Sequence, residues 1–382
     1  MKKAVFNLTI VIVLLMLTSA KGICQSQMTL KTAPIKHIDI ALSGLGKVTI
    51  DWGDGESDNY YDPILSGSCK HSYSDISTRT IKIIGENIKC MICNNEQLTN
   101  LNINRNPALE YLVCTWTQLS NLNVGKNLAL RYLDCKGNKL RHLDVSKNTK
   151  LEFFYCDKNK LKKMKIGKCI ELKYLYCSDN KLKSLDVSKS IFLRHLICSK
   201  NRLTKMNTSK NPSLANLDCN NNKLTKLDLF KNPALALLSC AENKLKKMDI
   251  STNKEIIRFS CQYNLLKSID ISENTKLITF RCENNLLTSL DVSKNSALEF
   301  LFCNNNQLTN LDVSNNMVLK RLNCSFNKLS GMALDTIFNT LNDNENRDSN
   351  LKMIHISKNP GTYSCDKHIA ESKEWVVITW EN

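Results

Sequence analysis

Between residues 93 and 329, apolar and polar positions return at one interval. Twelve cysteines, from Cys93 to Cys324, stand 21 residues apart without a slip. Leu109, Leu130, Leu151 and Leu172 lie five positions before a cysteine, and Leu112, Leu133, Phe154 and Leu175 lie two before. A leucine follows each cysteine at the fifth position, from Leu98 to Leu329. Three after the cysteine stands an asparagine, from Asn138 to Asn327; the first two rungs put Glu96 and Thr117 there instead. Three heptads also make 21, so a coiled coil has to be excluded. The apolar offsets from the cysteine, 0, 5, 8, 10, 16 and 19, scatter over five heptad classes instead of gathering on two. Two asparagines per repeat, with Pro107, Pro212 and Pro233, would also interrupt a long helix. The pattern predicts a short strand and a turn, stacked rung on rung because no single rung can bury its own apolar face.

Leu172 to Leu182 spells L-x-x-L-x-C-x-x-N-x-L, the strand and turn of a leucine-rich repeat with cysteine in one leucine slot. Followed by a stretch such as Leu143-Asp144-Val145-Ser146-Lys147-Asn148, the unit resembles the 21-residue cysteine-ladder repeats of internalin-type proteins and of exported Bacteroidetes repeat proteins. The resemblance covers about 240 of the 382 residues. It implies a leucine-rich repeat solenoid, with a curved parallel β-sheet and a mostly irregular convex side. It leaves the ligand open, because repeats of one shape carry many surfaces.

The flanks read differently. Residues 1–24 place Lys2 and Lys3 before an apolar run, Phe6 to Leu17, and then small residues. That is the layout of a secretory signal peptide cleaved after Ala20, Gly22 or Cys24, and it predicts an exported or outer-membrane-associated protein of a Gram-negative bacterium. Residues 25–90 are β-rich, and they hold Asp51-Trp52-Gly53-Asp54-Gly55 and His71-Ser72-Tyr73. These resemble the W-x-x-G-D-G and H-x-Y signatures of PKD-like modules and predict an N-terminal cap over the first rung. A calcium loop is disfavoured at Asp51, because Gly53 and Gly55 occupy places where oxygen ligands would stand. The repeats are assigned to 91–329. After Leu329 the period fails, and 330–382 predicts an α+β C-terminal cap with a helix over Met332–Leu341 and a last strand over Trp375–Trp380. Irregular turns are expected at Cys169 and Ser190, which replace the second asparagine of the repeat.

Seventeen cysteines in an exported chain would ordinarily suggest disulfides. In-register parallel neighbours, however, sit about 4.8 Å apart, wider than the ~3.8 Å that a disulfide prefers between Cβ atoms. The ladder is therefore expected to be reduced and to pack as small hydrophobes. Cys69, Cys90, Cys169 and Cys365 lie off the ladder, with Cys69–Cys90 the first candidate for a bridge.

Catalysis finds no footing. The six histidines are dispersed, no H-E-x-x-H or G-x-S-x-G occurs, and Cys90-x-x-Cys93 has no second ligand pair for zinc. No enzyme activity, metal or cofactor is expected. Side chains alternate along a strand, which sends offsets −3, −1 and +1 from each cysteine to the concave face. There Tyr111, Tyr132, Phe153 and Tyr174 form one column, continued by His195, and Tyr155 and Tyr176 lie beside it. Further on, the columns turn polar (Asn216, Asp218, Ser239, Arg258, Ser260, Thr279) until a late Phe300 and Phe302. Stacked tyrosines also stabilise a sheet as like neighbours, but that does not explain their confinement to one half.

The formal charge is +17, including Lys2, Lys3 and Lys21 of the leader. Much of it is patterned: Lys139, Lys160, Lys181, Arg202, Lys223 and Lys244 follow one turn, and Lys126, Lys147, Lys168, Lys189, Lys210 and Lys231 follow another. The expectation is a monomeric, adhesin-like recognition protein. Its partner would be an extracellular protein or glycoconjugate of anionic character, with no nucleic acid and no integral membrane span. A self-assembling envelope component is the competing expectation. The ladder argument predicts that thiol labelling under denaturing, non-reducing conditions modifies at least the twelve ladder cysteines, while the folded protein labels poorly. A largely disulfide-bonded ladder would overturn it.

Overall fold

The computed structural model describes residues 25–63, 68–94, 97–343 and 352–379, in two compact units, residues 1–182 and 183–382. The leader expected over residues 1–24, and Glu96 and Trp380, lie outside the described residues. Among the described residues no helix is long and apolar enough to cross a membrane.

The first unit opens with β1 (Gln25–Thr32), β2 (Ile35–Ser43), β3 (Lys47–Asp51), β4 (Ser57–Tyr61), β5 (Ser68–Ser77) and β6 (Thr80–Glu86). The repeat strands β7 (Cys90–Ile92), β9 (Tyr111–Val113), β10 (Tyr132–Asp134), β12 (Phe153–Tyr155) and β14 (Tyr174–Tyr176) pair in parallel, each in register with the equivalent residues 21 positions on. Between them run β8 (Leu98–Arg105), β11 (His142–Asp144) and β13 (Lys163–Lys165), the last two as a small parallel pair of their own. The leading segment covers the first rung twice. β2 runs antiparallel along β7, and β1 runs antiparallel along β8, so neither strand presents an open edge there.

The two sequence signatures of this segment meet in space. The Trp52 ring stacks on His71 at 4.9 Å, Tyr73 donates its hydroxyl to the Trp52 carbonyl at 3.0 Å, and the Trp52 indole N–H reaches Asp58 at 2.8 Å. The bridge considered for Cys69 and Cys90 is not formed. β2 lies between their strands, pairing Ile40 with Cys69 and Ser43 with Cys90. Two strand spacings are about 9.6 Å, beyond the ~7 Å limit for a disulfide. All sixteen described cysteines are free thiols, and all but the half-buried Cys365 are buried.

The second unit repeats the arrangement through β15 (His195–Ile197), β16 (Asn216–Asp218), β17 (Leu237–Ser239), β18 (Arg258–Ser260), β19 (Thr279–Arg281), β20 (Phe300–Phe302) and β21 (Arg321–Asn323). In both units the middle residue of each strand and the following cysteine point inward, and Leu133, Phe154, Leu217, Phe280, Cys135 and Cys282 are all fully buried. Burial pushes the ladder thiols far up: Cys93 and Cys324 to about 12 and others higher, so they are inert as nucleophiles.

What the apolar core cannot supply is a partner for the backbone where the chain leaves the strand. The asparagine does. Asn222 donates to the carbonyls of Cys198 and Cys219, both at 3.1 Å, and accepts from the Leu203 N–H at 2.9 Å. Asn159 does the same with Cys135, Cys156 and Leu140 in the first unit. A second ladder serves the other turn, where Asn148 donates to Val124 and Asn127. The irregular turns expected at Cys169 and Ser190 do not occur. Cys169 keeps the local turn bond to Ile166, and its thiol donates to the Val145 carbonyl at 3.3 Å, taking over the role of the carboxamide. Ser190 keeps the same turn bond to Val187.

One column went unread in the sequence. The residue two after most ladder cysteines is left-handed: Trp116, Lys158, Asp179, Lys200, Asn221, Glu242, Tyr263, Asn284, Asn305 and Phe326 have φ between 51° and 57°. At Gly137 (φ 71°) an added Cβ would come within 2.5 Å of the Trp116 ring, so glycine lets that exposed indole lie across the turn.

The period lapses after Leu329, but the ladder does not. The helix α1 (Gly331–Thr340) is capped by the Ser330 hydroxyl at its start, and its last carbonyls are taken by the Lys373 ammonium. Then β22 (Lys352–His355) returns to pair with β21 in register. Ile354 and Ile356 fill the leucine and cysteine slots, and Asn359 donates to the carbonyls of Cys324 and Ile356. The motif I-x-I-x-x-N was legible but displaced by the inserted segment. β23 (Trp375–Ile378) pairs with β22 and closes the stack, preceded by the short helix α2 (His368–Glu371).

Removing one ladder carboxamide should therefore cost more than removing its charged neighbour. Asn222→Ala leaves the buried Leu203 N–H without its acceptor and takes one of two donors from each of the Cys198 and Cys219 carbonyls. It is expected to lose roughly 1–3 kcal/mol in chemical denaturation, while Lys223→Ala on the exposed turn loses under about 0.5. Equal losses would reverse the assigned orientation of the turn.

Candidate functional site

Parallel in-register pairing brings equivalent side chains of successive rungs to one strand spacing. On the outward face of the first unit this aligns Tyr111, Tyr132, Phe153 and Tyr174, with Tyr155 and Tyr176 beside them. The rings touch. Tyr111 and Tyr132 stack at 4.0 Å, Phe153 and Tyr174 stack at 5.0 Å, and Tyr155 meets Tyr176 edge to face at 5.0 Å. Tyr132 lies 5.9 Å from Phe153 and 5.5 Å from Tyr155, which joins the two columns into one cluster.

The cluster is less exposed than a set of outward rings would suggest. Tyr111 is only 4% exposed, packed with Cys90, Ile92 and Val113, so the expectation of an accessible ring does not hold there. Tyr132, Phe153, Tyr155, Tyr174 and Tyr176 are half-buried. Burial raises the phenol pKa of Tyr132, Tyr155 and Tyr176, which stay neutral hydrogen-bonding groups. His195 belongs to β15 in the second unit, where burial and then Arg194 hold its pKa below the ordinary value. It is an uncharged ring at neutral pH.

The structure adds two carboxylates that the aromatic columns had concealed. Asp134, on β10, is buried, and its pKa is raised by burial although Lys136 pairs with it at 3.1 Å. Asp157 follows Cys156 and accepts the Ser178 N–H at 2.8 Å. Burial, opposed by that hydrogen bond, pushes its carboxyl up to about 6. The second oxygen of Asp157 has no hydrogen-bond partner among the described residues. At the margin of the strands Glu152 is clamped between Arg131 and Lys173, the latter at 2.7 Å. Burial acts upward on it, but the two cations hold its carboxyl below the usual range. The face thus combines flat apolar area, neutral hydroxyls and one carboxylate with a spare oxygen. The signal for Asp157 lay in the offset +1 column, between Lys136 and Ser178.

The lysines of both turn columns are exposed. Among the described residues one cluster could offer three metal ligands, Asp54, Glu56 and His71, and there His71 is already engaged by Asp54 at 2.7 Å.

Neither a protein-family profile nor a curated protein matches the chain. Solved structures do. An internalin of Listeria monocytogenes is 16% identical over 77% of this chain and 87% of its own, with a TM-score of 0.68. A leucine-rich-repeat protein of Leptospira interrogans is 22% identical over 75% of this chain and 82% of its own, with a TM-score of 0.64. The functional domain of InlJ from Listeria monocytogenes, which includes a cysteine ladder, is 27% identical over 75% of this chain and 78% of its own, with a TM-score of 0.42.

Asp157 offers a direct test of the site's electrostatics. A carboxyl whose folded pKa is raised stabilises the fold below its unfolded pKa, and that contribution is lost as pH rises through the folded value. Between pH ~4 and ~7 the native protein should lose on the order of 2 kcal/mol relative to Asp157→Asn, measured by denaturation of both. Parallel pH profiles would show that the carboxyl is solvated. Repeat register, inward leucines and the asparagine turn, together with the likeness to the internalin with TM-score 0.68 and to the Leptospira protein, identify the fold as that of a leucine-rich-repeat protein.

Proposed function

We propose that this is an exported, non-catalytic recognition protein, adhesin-like, which binds an extracellular protein or glycoconjugate through the outward strand face of its repeats. The observation that carries this reading is the aromatic cluster itself. Five half-buried rings, Tyr132, Phe153, Tyr155, Tyr174 and Tyr176, offer large contact area on rigid strands. Such rings bind at low conformational-entropy cost. Sugar C–H faces and apolar side chains both suit them, and the phenols and Asp157 would set polar register. Tyr111 acts from beneath by backing Tyr132, and His195 is proposed as a polar contributor from its own strand. The resemblance to exported repeat proteins, the PKD-like signatures and the Lys2-Lys3 leader support a place at the surface of a Gram-negative cell. The two lysine columns favour an anionic partner through electrostatic steering.

The test is binding of the purified chain to protein and glycan arrays, followed by titration of the best ligand. Replacing Tyr155 and Tyr176 by Ser is expected to weaken that ligand at least about tenfold, near 1.4 kcal/mol. A matched Ser239→Tyr change in the second unit should leave affinity intact. If the tyrosine pair lowers stability without touching affinity, the cluster only holds the sheet together. Concentration-dependent oligomers in a size measurement would favour the envelope-component alternative.

A further inference from the structure

The outward face of the second unit carries different chemistry. In the column three before each cysteine, β18 to β21 present Arg258, Thr279, Phe300 and Arg321 on consecutive paired strands. Beside them stand Ser260, Arg281, Phe302 and Asn323. Arg281 is committed. Its guanidinium bonds Glu283 at 3.0 and 2.6 Å and lies over the Phe302 ring, 5.1 Å from the centroid. It therefore fixes that ring and leaves no net charge. Arg258 and Arg321 are exposed, and neither side chain makes a hydrogen bond or ion pair among the described residues. The nearby acid Glu299 is spent on Lys320 at 2.9 Å. His355, next to Asn323, is held below its ordinary pKa by burial and by Arg321, so it adds no charge at neutral pH.

Two unpaired guanidiniums thus stand at the ends of one column that also holds the half-buried Phe300, next to Arg321 and two strands from Arg258. Their spacing selects a ligand. Three strand spacings separate Arg258 from Arg321, about 14 Å at ~4.8 Å each. In an extended peptide, residues i, i+2 and i+4 share a face, and i to i+4 spans about 14 Å at ~3.4 Å per residue. We propose that this column is a second binding surface, which takes an extended acidic peptide segment of a protein partner laid across the strands. The segment places carboxylates at i and i+4 on Arg258 and Arg321, and an apolar side chain at i+2 beside Phe300. Arginine suits this task because its planar fork receives a carboxylate in two parallel bonds. The surface does not depend on the tyrosine cluster.

Fluorescence anisotropy with the full chain tests it. One labelled peptide carries E-S-F-S-E between Gly-Ser flanks; its control carries E-S-F-E-S, of equal composition and charge, with the acids on opposite faces. The first should bind, with affinity falling as salt rises, and the control should be weaker by roughly fivefold or more. Arg258→Ser and Arg321→Ser should each weaken the first peptide by roughly fivefold to tenfold. Both side chains are exposed and unpartnered, so folding should survive, and circular dichroism checks this. The Tyr155→Ser, Tyr176→Ser protein should bind the peptide as the native chain does, whatever becomes of the array ligand. No binding, equal affinity for the two peptides, or undiminished binding by both arginine variants would overturn the proposal. A sulfated oligosaccharide that binds more tightly than the peptide, and loses affinity in the arginine variants, would also overturn it by giving the column to a glycan.

Discussion

A chain that leaves a three-residue strand every 21 residues must satisfy the backbone groups it abandons, and here they are out of reach of water. The ladder asparagine meets that constraint by tying two rungs at once. The carbonyl of Cys240 accepts from Asn243 of its own rung at 3.1 Å and from Asn264 of the next at 3.0 Å. Both lone pairs of the cysteine carbonyl are used. The same doubling occurs at Cys135 and Cys282. A slipped rung would break these bonds, so the strand register, and every column on the outward face, is locked by the turn.

This dependence explains what could be read from the sequence. The inward leucines, cysteines and asparagines each do one job with one chemistry, so their period announces the strand, the turn and which positions share a face. The aromatic columns followed from the same alternation. The left-handed turn residue escaped notice because its requirement is conformational: Trp116, Lys158, Glu242 and Phe326 share a positive φ and no side-chain chemistry. Cys169 departs from the asparagine column in side chain alone, so the expected irregular turn does not form. At that turn only the donor is needed, and a thiol has one.

The site was partly legible for a similar reason. Periodicity says which residues share a face and nothing about how deep each sits. Tyr111 obeys the column rule and is nonetheless buried, because the first strands have Cys90, Ile92 and Val113 around it. Asp157 falls at an offset where other rungs carry Lys136, Ser178 and Asn220. Only the surrounding packing shows that its carboxyl is desolvated. The scaffold columns are constrained and the face columns are free to differ, which is why one repeat carries tyrosines and a carboxylate in one unit and arginines with phenylalanine in the other.

The long step near the C-terminus carries a wider consequence. From Asn327 to Asn359 is 32 residues where other steps are 21, yet the ladder bond closes across it and β22 pairs in register. The surplus includes α1, and the core counts only strands and turns. Length between rungs is therefore a free variable of this architecture. Such a fold can accept a foreign loop, or a whole folded module, at the flank of a rung without renumbering its interior, so new surfaces can be acquired by insertion as readily as by substitution.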